Sequence, residues 1–276
     1  MSQPRLVRRA SAATALALAV VVAAAGCASS GVNKGQINVI SIQDEWQLGQ
    51  QLERDLAQKL RLIDDRAALA YVNDVGQRIV RQTEMANLPW RFHLVANREV
   101  NAFNIPGGHV YVNTGLIAEA DDAAEFAGVL GHEISHGVSR HGTEQLSRAY
   151  GISILGGILL GENPAAYQQI LAQIVAQGSL ARFSRAAESE ADRLGIRYMH
   201  GAGYDPRGLV DIFRKLLSAR QRQPGSVERF FSTHPLTEER LAEAQREIDS
   251  LPRRSGLVER EGGFQDLQSR VARYGP

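Results

Sequence analysis

The sequence predicts an α+β protein that is mostly helical and carries a small β-sheet. Three observations support this class. Apolar residues recur at helical spacing over most of the chain, one short segment alternates between apolar and polar side chains, and a Pro-Gly-Gly turn joins two strand-like segments. Runs of helices and strands that are segregated along the chain in this way are typical of the α+β class.

The composition is that of an ordinary globular protein. The chain has 276 residues, of which 44% are hydrophobic and 22% are charged. Lysine and arginine total 31 against 30 for aspartate and glutamate, so no strong overall field favours binding to nucleic acid. We therefore expect no nucleic-acid partner.

The beginning of the chain is predicted to direct export and membrane attachment. Three arginines precede an uncharged run of mostly Ala, Leu and Val from Ala10 to Gly26, the pattern of an export signal. The run ends at small residues directly before Cys27, the sole cysteine, and so resembles a bacterial lipobox. We expect a signal peptide over residues 1–26, a lipidated Cys27 and a flexible tether over residues 27–36. Ala28 after the cysteine favours the periplasmic side of the outer membrane.

The folded domain is predicted over residues 37–252 and opens with two helices. The spacing of apolar residues predicts the first helix from Ser41 to about Leu62 and the second from about Asp64 to Met85. Alternation from Trp90 to Ala96 then indicates a strand. The next strand-like segments flank the turn Pro106-Gly107-Gly108, so a hairpin is expected there.

Helices dominate the rest of the chain. Asp121 and Asp122 can begin a long helix that runs to about Arg148. Four later segments have helical spacing; they cover residues 164–177, 184–200, 206–220 and 237–250. The apolar run from Gly151 to Gly161 is too short to span a bilayer, and a buried helix is the first interpretation, with a membrane-grazing segment or an active-site flap as alternatives. Residues 253–276 are interpreted as a polar, loosely held tail.

The string Gly131-His132-Glu133-Ile134-Ser135-His136 lies within the predicted long helix. Residues four apart share one helix face, so His132 and His136 project from the same side and can bind one zinc ion. Glu133 lies about 100° from His132 around the helix axis. We therefore expect Glu133 to act as the general base for a water activated by the metal.

A catalytic zinc site needs a third protein ligand. A later helix offers Glu188 and Asp192, which are four residues apart on one face, with Glu190 directed elsewhere. We expect Glu188 to bind the metal and Asp192 to orient a ligand imidazole through its other ring nitrogen. His141 lies on another face than His136 and is interpreted as a surface or supporting residue.

Four separated motifs resemble the HExxH zinc metallopeptidase family of the CaaX prenyl endopeptidase, HtpX, BepA and LoiP. The motifs are His132-Glu133-x-x-His136, Glu188-x-x-x-Asp192, Asn101-Ala102-Phe103 with its Pro-Gly-Gly hairpin, and Ser232-Thr233-His234-Pro235. The resemblance covers most of residues 37–250. It implies a gluzincin-type peptidase domain with one Zn²⁺ ion per subunit, in the soluble, lipid-anchored branch of the family.

The resemblance also implies roles for two further features. One segment resembles the active-site edge strand, which pairs with an extended substrate backbone; a plain hairpin is the alternative. Its residues are Gly108, His109, Val110, Tyr111 and Val112. His234 resembles a histidine that approaches the zinc in some relatives, where it either blocks the metal or stabilises the oxyanion.

The expected function is that of a zinc-dependent endopeptidase of the bacterial cell envelope that cleaves unfolded or misassembled proteins. A zinc-containing envelope chaperone or assembly factor with little or no proteolysis is the alternative, because His234 offers a fourth ligand and structural zinc sites are closed. A metal-dependent amidase that acts on cell-wall peptides is a further alternative.

Overall fold

The computed structural model describes residues 38–180, 182–222, 225 and 227–274. The predicted signal peptide, Cys27 and the tether of residues 27–36 lie outside the described residues. Helices and a three-stranded sheet make up the described part, which confirms the predicted α+β class. None of the helices described is both long and apolar enough to cross a membrane.

The described chain contains eleven α-helices and three strands. The helices are α1 (Ile42–Lys59), α2 (Arg66–Val80), α3 (Thr114–Glu119), α4 (Ala123–Val138), α5 (His141–Leu159), α6 (Pro164–Gln177), α7 (Arg185–Gly201), α8 (Arg207–Arg222), α9 (Glu228–Thr233), α10 (Glu238–Ser250) and α11 (Gly262–Val271). The strands are β1 (Arg91–Val95), β2 (Ala102–Ile105) and β3 (His109–Asn113). A short 3-10 helix, Ala272–Tyr274, follows α11.

The sheet has the order β1-β3-β2, with β1 parallel and β2 antiparallel to β3. The predicted hairpin is present, and Gly107 and Gly108 in its turn have φ values of 85° and 71°, which favour glycine. Because β1 pairs with the outer side of the hairpin, β3 is the middle strand. The prediction that Gly108–Val112 is an edge strand is therefore wrong. The strand that packs against α4 is β2, which lies at an edge of the sheet.

The long helix predicted from Asp121 to about Arg148 is two helices, α4 and α5. Arg140 separates them in a left-handed conformation, with φ 56° and ψ 32°, which residues other than glycine rarely adopt. Its guanidinium donates to the Glu45 carboxylate and to the Ile40 carbonyl, both at 2.6 Å. These contacts with the start of the domain hold the break, so α4 ends two residues after His136.

The apolar run from Gly151 to Gly161 forms the second half of α5 and the residues directly after it. Leu155 and Ile158 are buried, whereas Ile152 and Leu160 are 70% and 73% exposed. Gly151 interrupts the helix with φ 68° and ψ 173°. The first interpretation, a buried helix, therefore holds for one face only.

The segment interpreted as a loosely held tail is packed against the domain. Phe264 on α11 is fully buried, and its ring lies 5.6 Å from that of Phe126 on α4 and 6.3 Å from that of Tyr71 on α2. The backbone N–H of Ala124 also donates to the Glu259 carbonyl at 3.1 Å. The interpretation was wrong because the polar residues of this segment conceal an apolar helical face.

Helix α4 is the centre of the fold, and all of its side chains are buried. It crosses α7 where Gly131 faces Gly195. A methyl group on Gly195 would lie 3.0 Å from the Gly131 carbonyl carbon and 3.0 Å from the His132 nitrogen, so the two backbones are in contact. This close crossing places Glu188 and Asp192 of α7 opposite the histidines of α4.

Candidate metal centre

The HExxH residues lie on one buried helix. His132, Glu133 and His136 are each at most 1% exposed. The helix is capped by Asp122, whose carboxylate accepts from the Glu125 N–H at 2.9 Å. The Nε2 atoms of His132 and His136 are 3.1 Å apart, so the two rings converge on one point, as their spacing predicts.

Glu188 and His234 complete the group. Glu188 on α7 places Oε2 3.7 Å from His132 Nε2 and Oε1 3.5 Å from His136 Nε2. His234 directly follows α9, where its backbone N–H donates to the Phe230 carbonyl at 2.8 Å. Its Nδ1 atom lies 3.2 Å from His132 Nε2 and 3.1 Å from Glu188 Oε1. We call His132, His136, Glu188 and His234 the metal-binding group.

The geometry of this group fits a zinc ion. Nitrogen and oxygen ligands about 2.0–2.1 Å from a tetrahedral zinc are about 3.3–3.4 Å apart. The five separations given above run from 3.1 to 3.7 Å and so bracket that value. The donor set of imidazole nitrogens and one carboxylate is also one that zinc prefers.

Comparison with known proteins identifies the family. The model of "Peptidase family M48" matches residues 67–248, a span that contains the whole metal-binding group. The chain belongs to peptidase family M48. The resemblance inferred from the four motifs is thereby confirmed, and so is zinc as the metal, since M48 metalloproteases are zinc-dependent.

Several curated M48 relatives are similar over most of this chain. The beta-barrel assembly-enhancing protease of Escherichia coli (strain K12) is 33% identical over 224 residues, which cover 78% of this chain and 46% of the relative. The mitochondrial metalloendopeptidase OMA1 of Schizosaccharomyces pombe is 28% identical over 212 residues, covering 76% and 62%. The chain thus spans less than half the length of the bacterial relative and somewhat less than two thirds of the yeast one.

The M48 site contains a buried cation that the sequence analysis missed. Arg240 on α10 is 3% exposed, and its guanidinium contacts the Asp192 carboxylate at 2.7 and 2.8 Å and Glu188 Oε2 at 2.7 Å. Asp192 in turn lies 2.9 Å from His132 Nδ1, the ring nitrogen that faces away from the metal-binding group. A signal was present: Arg240 occupies the position four before Ala244 on the apolar face of α10.

The surroundings of Glu188 and His136 favour the protonation states that these two residues require as zinc ligands. Burial opposes ionisation of Glu188 and Asp192, but the charge of Arg240, together with His234 in the case of Glu188, holds the pKa of each carboxyl below its usual value. Burial lowers the pKa of His136 well below that of a free imidazole. Glu188 is therefore a carboxylate and His136 a neutral imidazole at neutral pH.

His141 contacts the ring nitrogen of His136 that faces away from the metal-binding group. The two Nδ1 atoms are 2.9 Å apart, and His141 Nε2 lies 3.2 Å from Glu190 Oε2. His141 is only 1% exposed, so the interpretation as a surface residue is wrong and the supporting role is the one observed. The sequence spacing misled because the break at Arg140 returns His141 towards α4.

Glu133 lies between the metal-binding group and the edge of the sheet. Its Oε1 atom is 3.4 Å from His234 Nε2, and the Asn104 backbone N–H on β2 is within hydrogen-bonding reach of its carboxylate. Burial raises the pKa of Glu133, although the nearby His234 and His132 oppose this. A carboxyl group with a raised pKa is suited to both accepting and returning a proton.

The segment that was predicted to pair with the substrate is not an edge strand. From His109 onwards this segment, Gly108–Val112, is paired on both sides, so it has no free backbone edge for a peptide. On β2, by contrast, the Asn113 N–H donates to the Asn101 carbonyl at 3.1 Å. Because inward and outward groups alternate along an antiparallel strand, Ala102 and Asn104 direct their backbone groups away from β3.

Proposed function

We propose that the chain is a zinc-dependent endopeptidase. The observation that carries the proposal is the convergence of His132, His136 and Glu188 beside Glu133, a carboxylate that a purely structural metal site does not need. Three protein ligands with a fourth position for a reactant are typical of catalytic zinc. Membership of family M48 and the protease names of the relatives support the same activity.

The residues have distinct roles in the proposed hydrolysis. His132, His136 and Glu188 hold the ion, and Asp192 and His141 orient the two imidazoles. Zinc, when bound, supplies a Lewis acid that polarises the scissile carbonyl and makes water more acidic. Glu133 accepts the proton of the attacking water and returns it to the leaving amine.

The outer edge of β2 is the proposed place for the substrate backbone. Ala102 points its backbone groups outward there, and the outward N–H of Asn104 reaches Glu133. Because β2 is buried, a peptide reaches this edge only when the closed site opens. A peptide added to this edge would be held in an extended form next to the general base. Recognition through the backbone suits proteins that are unfolded or misassembled, which are the substrates we propose.

The proposed location is the periplasmic side of the cell envelope, with the domain attached through lipidated Cys27, most simply to the outer membrane. The pattern of residues 1–36 supports this location. The names of the bacterial relatives refer to the assembly of β-barrels. We therefore propose that this chain acts in the quality control of envelope proteins.

His234 is proposed to restrain the enzyme. It occupies the fourth corner of the metal-binding group, and His132, Glu133, His136, Glu188 and His234 are all at most 1% exposed. The same closed geometry is what a chaperone with structural zinc would show. Removal of His234 should increase proteolysis by a restrained endopeptidase but should not produce proteolysis in a chaperone.

Casein cleavage and zinc content together test these assignments. We expect Glu133→Gln to retain zinc but to lose at least about 100-fold in cleavage rate, because general base catalysis typically contributes that much. Glu188→Ala should lose zinc as severely as His136→Ala. His200→Asn on α7, outside the site, is the matched control and should behave as wild type.

The His234→Ala variant separates the two functions. If His234→Ala cleaves casein faster than the wild type, the result supports an endopeptidase restrained by His234. If neither the wild type nor His234→Ala cleaves casein although both retain zinc, the result favours the chaperone. Cleavage by Glu133→Gln at the wild-type rate would show that Glu133 is not the general base.

A further inference from the structure

A second group of metal-ligating side chains lies between α1 and the sheet. It consists of Glu53 on α1, His93 on β1 and His109 at the start of β3. We call these three residues the Glu–His cluster. His93 and His109 share one face of the sheet because His93 pairs with Tyr111, two residues after His109 on the neighbouring strand. Glu53 approaches that face from the helix above it.

Three atoms of the cluster converge. His93 Nε2 lies 3.4 Å from His109 Nδ1, and Glu53 Oε1 lies 3.5 Å from the first nitrogen and 3.6 Å from the second. These separations exceed ordinary hydrogen bonds of about 2.7–3.2 Å. They match the spacing of about 3.3–3.4 Å between ligands of a tetrahedral ion, and they lie within the range found in the metal-binding group.

Hydrogen bonds alone do not account for this triangle. A neutral imidazole has one N–H, which points in one direction, so the three mutual contacts cannot all be hydrogen bonds. Burial lowers the pKa of His93 and that of His109 to about 4. The neighbouring His109 and Arg91 lower the pKa of His93 further although Glu53 opposes this, and Arg91 lowers that of His109. Both rings therefore have a lone pair available at neutral pH.

The surroundings hold the cluster in place and leave it accessible from solvent. The His93 ring stacks on Tyr111 with centroids 4.5 Å apart, and Tyr111 stacks on Phe103 at 4.9 Å. The side chains of Glu53 and His93 are 19% and 15% exposed, so the cluster is reached from solvent. Arg91 Nη1 lies 3.3 Å from Glu53 Oε1, but its side chain is 62% exposed and can leave when a cation binds.

We propose that Glu53, His93 and His109 form a second metal site, which binds zinc or a chemically similar divalent transition-metal ion and ties α1 to the sheet. Two imidazoles and one carboxylate are a donor set that suits such ions. Water completes the coordination on the exposed side. This ion is separate from the one held on α4, and the cluster contains no residue of the proposed catalytic machinery.

Zinc stoichiometry tests the proposal. Every protein is the full chain with Cys27→Ser, so that its sole thiol cannot bind metal. It is stripped with a chelator and then dialysed against a buffered excess of Zn²⁺. We expect two zinc ions per chain in the reference protein, one in His93→Asn and one in His136→Asn. The variant with both substitutions should bind none.

Three further variants control the measurement. Glu53→Gln, at a partly exposed position, should lose the same ion as His93→Asn. Agreement between the two variants excludes a folding defect in one of them as the cause, and circular dichroism checks that both are folded. Arg91→Ala removes the competing cation and should retain or tighten binding at the second site. His200→Asn removes an unrelated imidazole and should still bind two ions.

The outcome is decisive for each site separately. One zinc ion in the reference protein that is lost in His136→Asn but retained in His93→Asn overturns the second site and leaves the first intact. Two ions that persist in both His93→Asn and Glu53→Gln also overturn it. A second readout is the unfolding temperature, which saturating Zn²⁺ should raise further in His136→Asn than in the variant with both substitutions.

Discussion

Arg240 shows how much one buried side chain contributes to the M48 site. It pairs with Asp192 and Glu188, two carboxylates that are at most 3% exposed. Buried carboxylates of this kind are ionised only if a partner offsets the cost of removing them from water. The guanidinium geometry fixes both acids at once, and through Asp192 it also fixes the ring of His132.

Removal of Arg240 is expected to destabilise the fold. Arg240→Ala should lower the free energy of unfolding by about 3–5 kcal/mol, because it leaves buried charges without a partner. Urea denaturation of the zinc-free protein measures the change. Arg246→Ala, at an exposed position on the same helix, is the control and should stay within about 0.5 kcal/mol of wild type. Equal effects of the two substitutions would show that Arg240 is dispensable.

At the scale of elements, the crossing of α4 and α7 decides where the ligands lie. The two helices carry the HExxH residues and Glu188, and they meet at Gly131 and Gly195 with backbone against backbone. Any side chain at this crossing would move α7 away from α4. The ligand separations of 3.1–3.7 Å therefore depend on two residues that touch no metal.

A methyl group at the crossing tests this dependence. Gly195→Ala should cost about 1–3 kcal/mol of stability, because the new carbon meets the backbone of a buried helix that cannot yield easily. It should also weaken zinc binding, measured by competition with a chromophoric chelator. Gly156→Ala on α5, where a methyl group meets nothing within 4 Å, should be neutral or stabilise by up to about 1 kcal/mol.

At the scale of the whole molecule, helix α11 packs against the part of the domain that carries the site. Helix α11 inserts Phe264, Leu267 and Val271 into the domain, and Phe264 reaches the helix that carries the HExxH residues. Helix α11 therefore belongs to the same folding unit as the metal-binding group. The described residues after Pro252, 253–274, are part of the domain and not an appendage.

Truncation of one ring in α11 should reveal this coupling. Phe264→Ala is expected to lower the unfolding free energy by about 3–5 kcal/mol through the cavity it leaves. Gln265→Ala, at the adjacent exposed position, should change it little. The measurement is again urea denaturation; a Phe264→Ala protein as stable as the Gln265→Ala protein would mean that α11 is loosely attached after all.

The spacing of residues within one element predicted the helices and the main site. It did not predict the contacts between segments that are distant in the sequence. His132, Glu133 and His136 could be identified because one helix sets their geometry, and Glu188 with Asp192 for the same reason. The middle position of β3 depends on β1 pairing in parallel, which no hairpin pattern encodes. The spacing of Phe264, Leu267 and Val271 does contain a helical signal, which the many polar residues around it obscured.

The burial of the proposed catalytic side chains has a consequence for regulation. With Glu133 as the proposed general base and 1% exposed, the conformation described is a resting one, and the observed turnover would be the intrinsic rate multiplied by the fraction of molecules that are open. Each tenfold reduction of that fraction corresponds to about 1.4 kcal/mol in favour of the closed form. A partner or substrate that binds only the open form can therefore accelerate the enzyme by no more than the reciprocal of the open fraction, and this ratio is a property of the folded chain itself.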